Sequence, residues 1–175
     1  MKPHTSERGF TIIELMVVVA IIAVLALIVV PTFLRETRKA KADTEINAMF
    51  TEIAIKEEQY KSENNGSYLP ATTTCPTSPS SAGVDFNSTC VTTGSPWANL
   101  RISATDTKIR CTYSVTTGAA GTTLTPPSGF TVANQPAGAW YYILGTCDMD
   151  SRGGTNAQFF RTSVDTVVQK TNYGS

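Results

Sequence analysis

Residues 7–31 read "ERGFTIIELMVVVAIIAVLALIVVP". The stretch opens on charge, passes through Gly9, and becomes almost wholly apolar, with Glu14 as its one embedded acid. From Leu15 to Leu34 no residue is charged. That run matches the ~20 residues a helix needs to cross a bilayer. A carboxylate at the head of such a run is costly and by default marks function. The nine residues MKPHTSERG that come first are polar, with Lys2 and Arg8 as fixed positive charges. A secretory signal would place a small-residue cleavage site after a shorter apolar stretch. Here the small residue, Gly9, precedes the apolar run. Cleavage after it would leave the hydrophobic segment on the mature chain, with Phe10 as its first residue.

The chain has 175 residues and a formal net charge of zero, so charge points to no nucleic acid. Its only histidine is His4. Removal of the leader would leave none, which excludes histidine-dependent triads and histidine metal ligands together. No enzymatic constellation is expected. Four cysteines, Cys75, Cys90, Cys111 and Cys147, lie in the polar half and form no C-x-x-C. Beyond an export-type segment an even count reads as disulfides in an oxidising compartment, and four cysteines allow three pairings. Cys75 with Cys90, closing a Pro/Ser-rich loop, and Cys111 with Cys147, stapling two strand-like runs, is the favoured one.

From Arg35 to Asn64 there is neither proline nor glycine. Ile46, Met49, Phe50, Ile53, Ala54 and Tyr60 recur near helical spacing, with Glu52, Lys56 and Glu63 elsewhere on the wheel. Gly66 in ENNGSY is the expected terminator. One helix from Phe10 to about Asn64 would be roughly 80 Å long. Basic residues at 35–41 form either a solvated face or a contact for lipid headgroups. Beyond residue 65, KIRCTYSV, GFTVAN, WYYILGTC, AQFFRTSV and TVVQK are strand candidates, separated by Gly/Pro clusters. SYLP and the Cys75–Cys90 region are expected to be connecting loop, and Trp97 to face the surface.

Residues 8–31, RGFTIIELMVVVAIIAVLALIVVP, resemble the N-terminus of type IV pilins and pseudopilins, with a class III prepilin signal. In that family Gly9 corresponds to the residue before the cleavage site and Phe10 to the N-methylated first mature residue. Glu14 falls at the fifth mature position and Pro31 at the twenty-second, where the helix can kink. Where many major pilins carry glycine at the fourteenth mature position, this chain has Ala23. The resemblance implies an α+β fold: a long N-terminal helix, its apolar half protruding, packed on a C-terminal antiparallel sheet. It divides the chain into a cleaved leader (1–9), a transmembrane and filament-core helix (10–34), an amphipathic stem (35–64) and a disulfide-stapled globular domain (65–175).

The implied function is that of a structural subunit of a type IV pilus, serving adhesion, twitching motility or DNA uptake. Processing would be by prepilin peptidase, and assembly would pair Glu14 with the Phe10 amine of a neighbour. Partners would be other pilin subunits and the inner-membrane assembly machinery. A minor pilin or type II secretion pseudopilin is the alternative, and a signal-anchored envelope enzyme a further one. Counting Lys2 and Arg8 against Arg35, Arg38, Lys39 and Lys41 puts the N-terminus outside. The resemblance puts it in the cytoplasm, with the rest in the periplasm before assembly and in a pilus or pseudopilus after it; the cysteines agree. No cofactor is expected. CDMDSRGG begins like a calcium loop through Asp148 and Asp150, but Arg152 stands where a third acid is usual. The competing reading is a turn capped by those acids or paired with Arg152.

Overall fold

The computed structural model describes residues 9–148 and 155–173. The chain divides into two compact units, Met1–Thr37 and Arg38–Ser175. One helix, α1 (Ile12–Glu63), supplies residues to both.

In the first unit α1 is apolar on every side, and every large hydrophobic residue from Phe10 to Leu34 that it carries or adjoins is exposed. The helix continues through Pro31. Proline removes a main-chain donor. At the next residue the Thr32 hydroxyl donates to Val29 O (2.8 Å) and Ile28 O (3.3 Å), so a side chain engages carbonyls of the turn before the proline.

In the second unit α1 is amphipathic. Ala42, Ile46, Met49, Phe50, Ile53 and Ala54 are buried, as their spacing predicts. The helix stops where Asn65 and Gly66 turn left-handed (φ 53° and 81°) and Gly66 N donates back to Lys61 O at 3.0 Å. Glycine takes that conformation without penalty.

Five strands follow: β1 (Ala71–Cys75), β2 (Cys111–Gly118), β3 (Trp140–Cys147), β4 (Ala157–Thr162) and β5 (Gln169–Thr171). They pair antiparallel in chain order, β1-β2-β3-β4-β5. The α+β architecture expected from the sequence is therefore present, and it is consistent with a type IV pilin fold. Alternation along β3 explains its two-sided burial. Tyr141, Ile143 and Cys147 join the core shared with α1, while Trp140 joins a second cluster with Leu124, Phe130 and Phe160. Gly145 sits where α1 comes closest. A β-carbon there would lie 2.5 Å from Ile46 Cδ1 and 3.1 Å from Phe50 Cε1, so only glycine fits.

Three expectations are corrected. GFTVAN forms no strand; its run is irregular, and Phe130 stacks on Phe160 with ring centroids 4.9 Å apart. The segment before Cys75 is not only a connection, because residues 71–75 pair with β2 as an edge strand. Trp97 is buried, not surface-facing. It lies in the short helix α3 (Pro96–Asn99) and packs edge-on against Phe86 of α2 (Phe86–Thr89), with centroids 5.4 Å apart. The local code was present: Ser95 caps α3 by accepting from Ala98 N, and Pro96 occupies its first turn.

Candidate functional site

The start of α1 is a reciprocal cap. Thr11 precedes the first helical residue and Glu14 stands three positions on. Glu14 N donates to Thr11 Oγ1 at 3.3 Å. Thr11 donates to Glu14 Oε2 from its main-chain nitrogen (3.2 Å) and its hydroxyl (2.9 Å). This is a T-x-x-E capping box, which satisfies otherwise orphaned donors at a helix N-terminus. Negative charge is also favoured there by the helix dipole. The carboxylate thus has an intramolecular role, and Thr11 belongs with Glu14 in the site. The motif was legible in TIIE but was passed over in favour of the acid alone. Both bonds land on Oε2, and Oε1 accepts no hydrogen bond among the described residues.

Gly9 and Phe10 precede the helix and are exposed, Phe10 at 80%. A β-carbon on Gly9 would meet nothing within 4 Å. The fold of this chain therefore does not require glycine at that position. Ala23 lies inside α1, and the helix holds an apolar stretch long enough to cross a membrane.

The second unit is fastened to α1 by buried acids that sequence reasoning placed among solvated residues or did not single out. Glu45 is buried, and its Oε1 accepts from Cys111 N (2.8 Å), Arg110 N (2.8 Å) and Tyr113 Oη (3.1 Å), while Oε2 accepts from Arg110 N (2.9 Å). One carboxylate thereby receives the leading donors of β2. Burial, then the Glu45 charge, pushes the Tyr113 hydroxyl well above its usual range. Glu57 is fully buried and accepts from Leu69 N through Oε2 at 3.0 Å. Its Oε1 has no partner, and burial pushes its carboxyl up to about 7, the Leu69 bond opposing and Glu58 assisting. At the other side of the sheet, Asp43 receives Lys170 Nζ at 2.8 Å and Tyr173 Oη at 2.6 Å, tying the last strand to the helix. Glu45, Met49, Ile53 and Glu57 recur every four residues. That row could have exposed the acids as members of the buried stripe.

Disulfides join Cys75 to Cys90 and Cys111 to Cys147, and no described cysteine is free. Cys111 and Cys147 stand directly opposite each other in the β2–β3 ladder. Asp148 is described, whereas Asp150, Arg152 and Gly154 of the calcium-like segment lie outside the described residues. Among the described residues no group of three or more His, Cys, Asp or Glu side chains is arranged to hold a metal ion.

The family model of the prokaryotic N-terminal methylation motif matches residues 4–30. The Type IV wide pilus major component PilA4 of Thermus thermophilus is 38% identical over 60 residues, covering 34% of this chain and 45% of that protein. The Type IV major pilin protein PilA of Myxococcus xanthus is 47% identical over 48 residues, covering 26% of this chain and 22% of that protein. The chain thus spans less than half the length of either relative. No solved structure matches it significantly. The resemblance to type IV pilins drawn from residues 8–31 is borne out over the front of the chain.

Proposed function

We propose that this chain is a structural subunit of a type IV pilus, made as a precursor and carried in the inner membrane before assembly. In this reading prepilin peptidase cuts between Gly9 and Phe10, and Phe10 is N-methylated. Residues 10–34 then anchor the subunit with its N-terminus in the cytoplasm, ahead of the stem (35–64) and globular domain (65–175). Its partners are further pilin subunits and the inner-membrane assembly machinery. It catalyses no reaction.

The observation that carries the proposal is the Thr11–Glu14 box at the head of an apolar helical stretch whose large hydrophobic residues are exposed as far as Leu34. An ionised side chain at the centre of a bilayer costs about 2.5–3.5 kcal/mol on insertion scales. Thr11 offsets part of that cost at the helix head while the subunit waits in lipid. Cleavage creates an amine on Phe10, and Glu14 Oε1 is open to the amine of a neighbouring copy. Such a pair rewards one axial offset between parallel helices, so the acid sets registry, while the apolar residues from 15 to 34 supply cohesion.

Intact mass with N-terminal sequencing of the protein isolated from its own envelope tests the processing. Expected is a chain beginning at methylated Phe10. A chain retaining Met1 or Lys2 refutes it and favours a signal anchor. Glu14→Ala tests the registry: the protein should be folded and membrane-inserted yet scarce in sheared filaments, and wild-type incorporation refutes the pairing. The abundance of the unaltered protein in the same filaments separates a major subunit from a minor pilin or a pseudopilin.

A further inference from the structure

We infer that the second unit holds a phosphate-binding site built by Lys41 and Arg110, and that its occupant is the phosphate of an anionic phospholipid headgroup.

A cavity of about 200 Å³ is lined by Arg38, Lys41, Arg110, Ser81, Asp148 and the Cys111–Cys147 disulfide, with Ala42 beside it. Among the described residues three cations and one acid line it. Arg38 and Asp148 have partners of their own. Lys41 and Arg110 do not: neither side chain forms a hydrogen bond or ion pair among the described residues. Arg110 is committed only through its main chain, whose nitrogen donates to Glu45 and whose oxygen accepts from Ser80 N, and this fixes the backbone from which the guanidinium departs. The pair also lines the adjoining cavity of about 360 Å³, with Glu45 and Asp106. Glu45 is engaged there by Arg110 N, Cys111 N and Tyr113 Oη, and Asp106 adds a second acid, so an anion is favoured on the side of Ser81, where the described acids are fewer.

Two cations with free donors, a guanidinium with planar forked geometry and a hydroxyl at Ser81 are the chemistry that recognises a phosphate. The source follows from the chain. Lys41 is seven residues beyond Leu34, the last apolar residue of the span. Even a fully extended chain holds it within about 25 Å of that point. On the topology proposed above, basic residues so close to the span lie on its periplasmic side, where anionic headgroups within a Debye length attract them. The lipid source rests on reading residues 10–34 as a membrane anchor. The phosphate site itself does not.

The test uses the full chain in neutral maltoside micelles. Native mass spectrometry titrates phosphatidylglycerol against phosphatidylcholine, and phosphorus NMR line broadening follows inorganic phosphate. The variants are K41Q/R110Q and, as a charge-matched control away from the cavity, K56Q/R101Q. Glutamine at 110 keeps the main-chain bond to Glu45, and unchanged near-ultraviolet circular dichroism verifies the fold. Expected is retention of phosphatidylglycerol over phosphatidylcholine, weakened about tenfold by K41Q/R110Q and little by the control, as loss of charge-assisted donors requires. Inorganic phosphate binding with the same variant dependence, and no lipid preference, upholds the site but overturns the lipid source. Equal losses in both double variants, or none in K41Q/R110Q with either probe, overturn the site. Each outcome is independent of whether the mature chain begins at Phe10.

Discussion

Replacing Glu57 by glutamine should abolish a pH dependence of stability that the wild-type chain carries. Glu57 is fully buried beneath the chain that leaves α1, holds Leu69 N, and has one oxygen without a partner. Burial raises its carboxyl from an ordinary 4.5 to about 7. The native state therefore keeps its proton between those values while the unfolded chain gives it up. Protons bound to the native state in excess make stability fall as pH rises. The contribution is fully present below about 4.5, declines by about 1.4 kcal/mol per pH unit, and is gone above about 7, a loss of about 3 kcal/mol. Urea unfolding of the full chain in micelles, with disulfides intact, measures this through Trp97 and Trp140, both buried in the second unit. Other carboxylates titrate too, so the quantity to compare is wild type minus Glu57→Gln at each pH from 4 to 8. The slope of that difference is the diagnostic. Its level is not, since the carboxamide brings donors of its own. A difference that is flat across this range, or that favours the wild type as pH rises, refutes the buried-acid reasoning.

Glu45→Ala should cost about 3–5 kcal/mol in the same unfolding assay, because Arg110 N, Cys111 N and Tyr113 Oη lose a buried charged acceptor together. Gly145→Ala should cost about 1–3 kcal/mol through forced displacement of Ile46 and Phe50, visible as a lowered urea midpoint. Replacing both members of a disulfide by serine should cost about 3 kcal/mol for Cys75–Cys90 and about 4 kcal/mol for Cys111–Cys147, in the order of their sequence separations of 15 and 36. Gly9→Val should leave the unfolding curve unchanged, since nothing surrounds that position, yet hold the protein at precursor mass in its native envelope; a shift to mature mass refutes the cleavage assignment.

The front of the chain was legible because its physics is one-dimensional. A run from Leu15 to Leu34 without charge needs no partner to be read as a helix for lipid, and Ile46, Met49, Phe50 and Ile53 declare their buried face by spacing. Strands β2, β3 and β4 were legible too, in KIRCTYSV, WYYILGTC and AQFFRTSV, as partly alternating strand-like runs set apart by Gly/Pro clusters, whereas their ladder registers were not. What failed depended on partners distant in sequence. GFTVAN has strand composition, but Phe130 is taken up by Phe160 on the sheet and its neighbours form no ladder. Trp97 was placed at the surface because its flanks are polar, yet those flanks are a helix cap, and Phe86 covers the ring.

Three of the acids of α1, Glu14, Glu45 and Glu57, show where the boundary lies. Glu14 stood out because everything around it is apolar, and its conspicuousness concealed Thr11, its partner within the chain. Glu45 and Glu57 drew no such notice because charged residues surround them in sequence, though among the described residues they are the two buried carboxylates. Hydropathy measures the contrast between a residue and its neighbours along the chain, whereas the cost of a carboxylate depends on its neighbours in space. Glu45 meets that cost with main-chain donors some 65 positions away, and no local window contains them. Glu57 meets only part of it, through Leu69, and responds by holding its proton. Glu14 differs from both in that its remaining oxygen accepts no hydrogen bond among the described residues. Within α1, then, an acid's function follows from where its donors come from. Those of Glu45 and Glu57 fasten a fold, and an acid whose second donor must come from another molecule is suited to ordering an assembly.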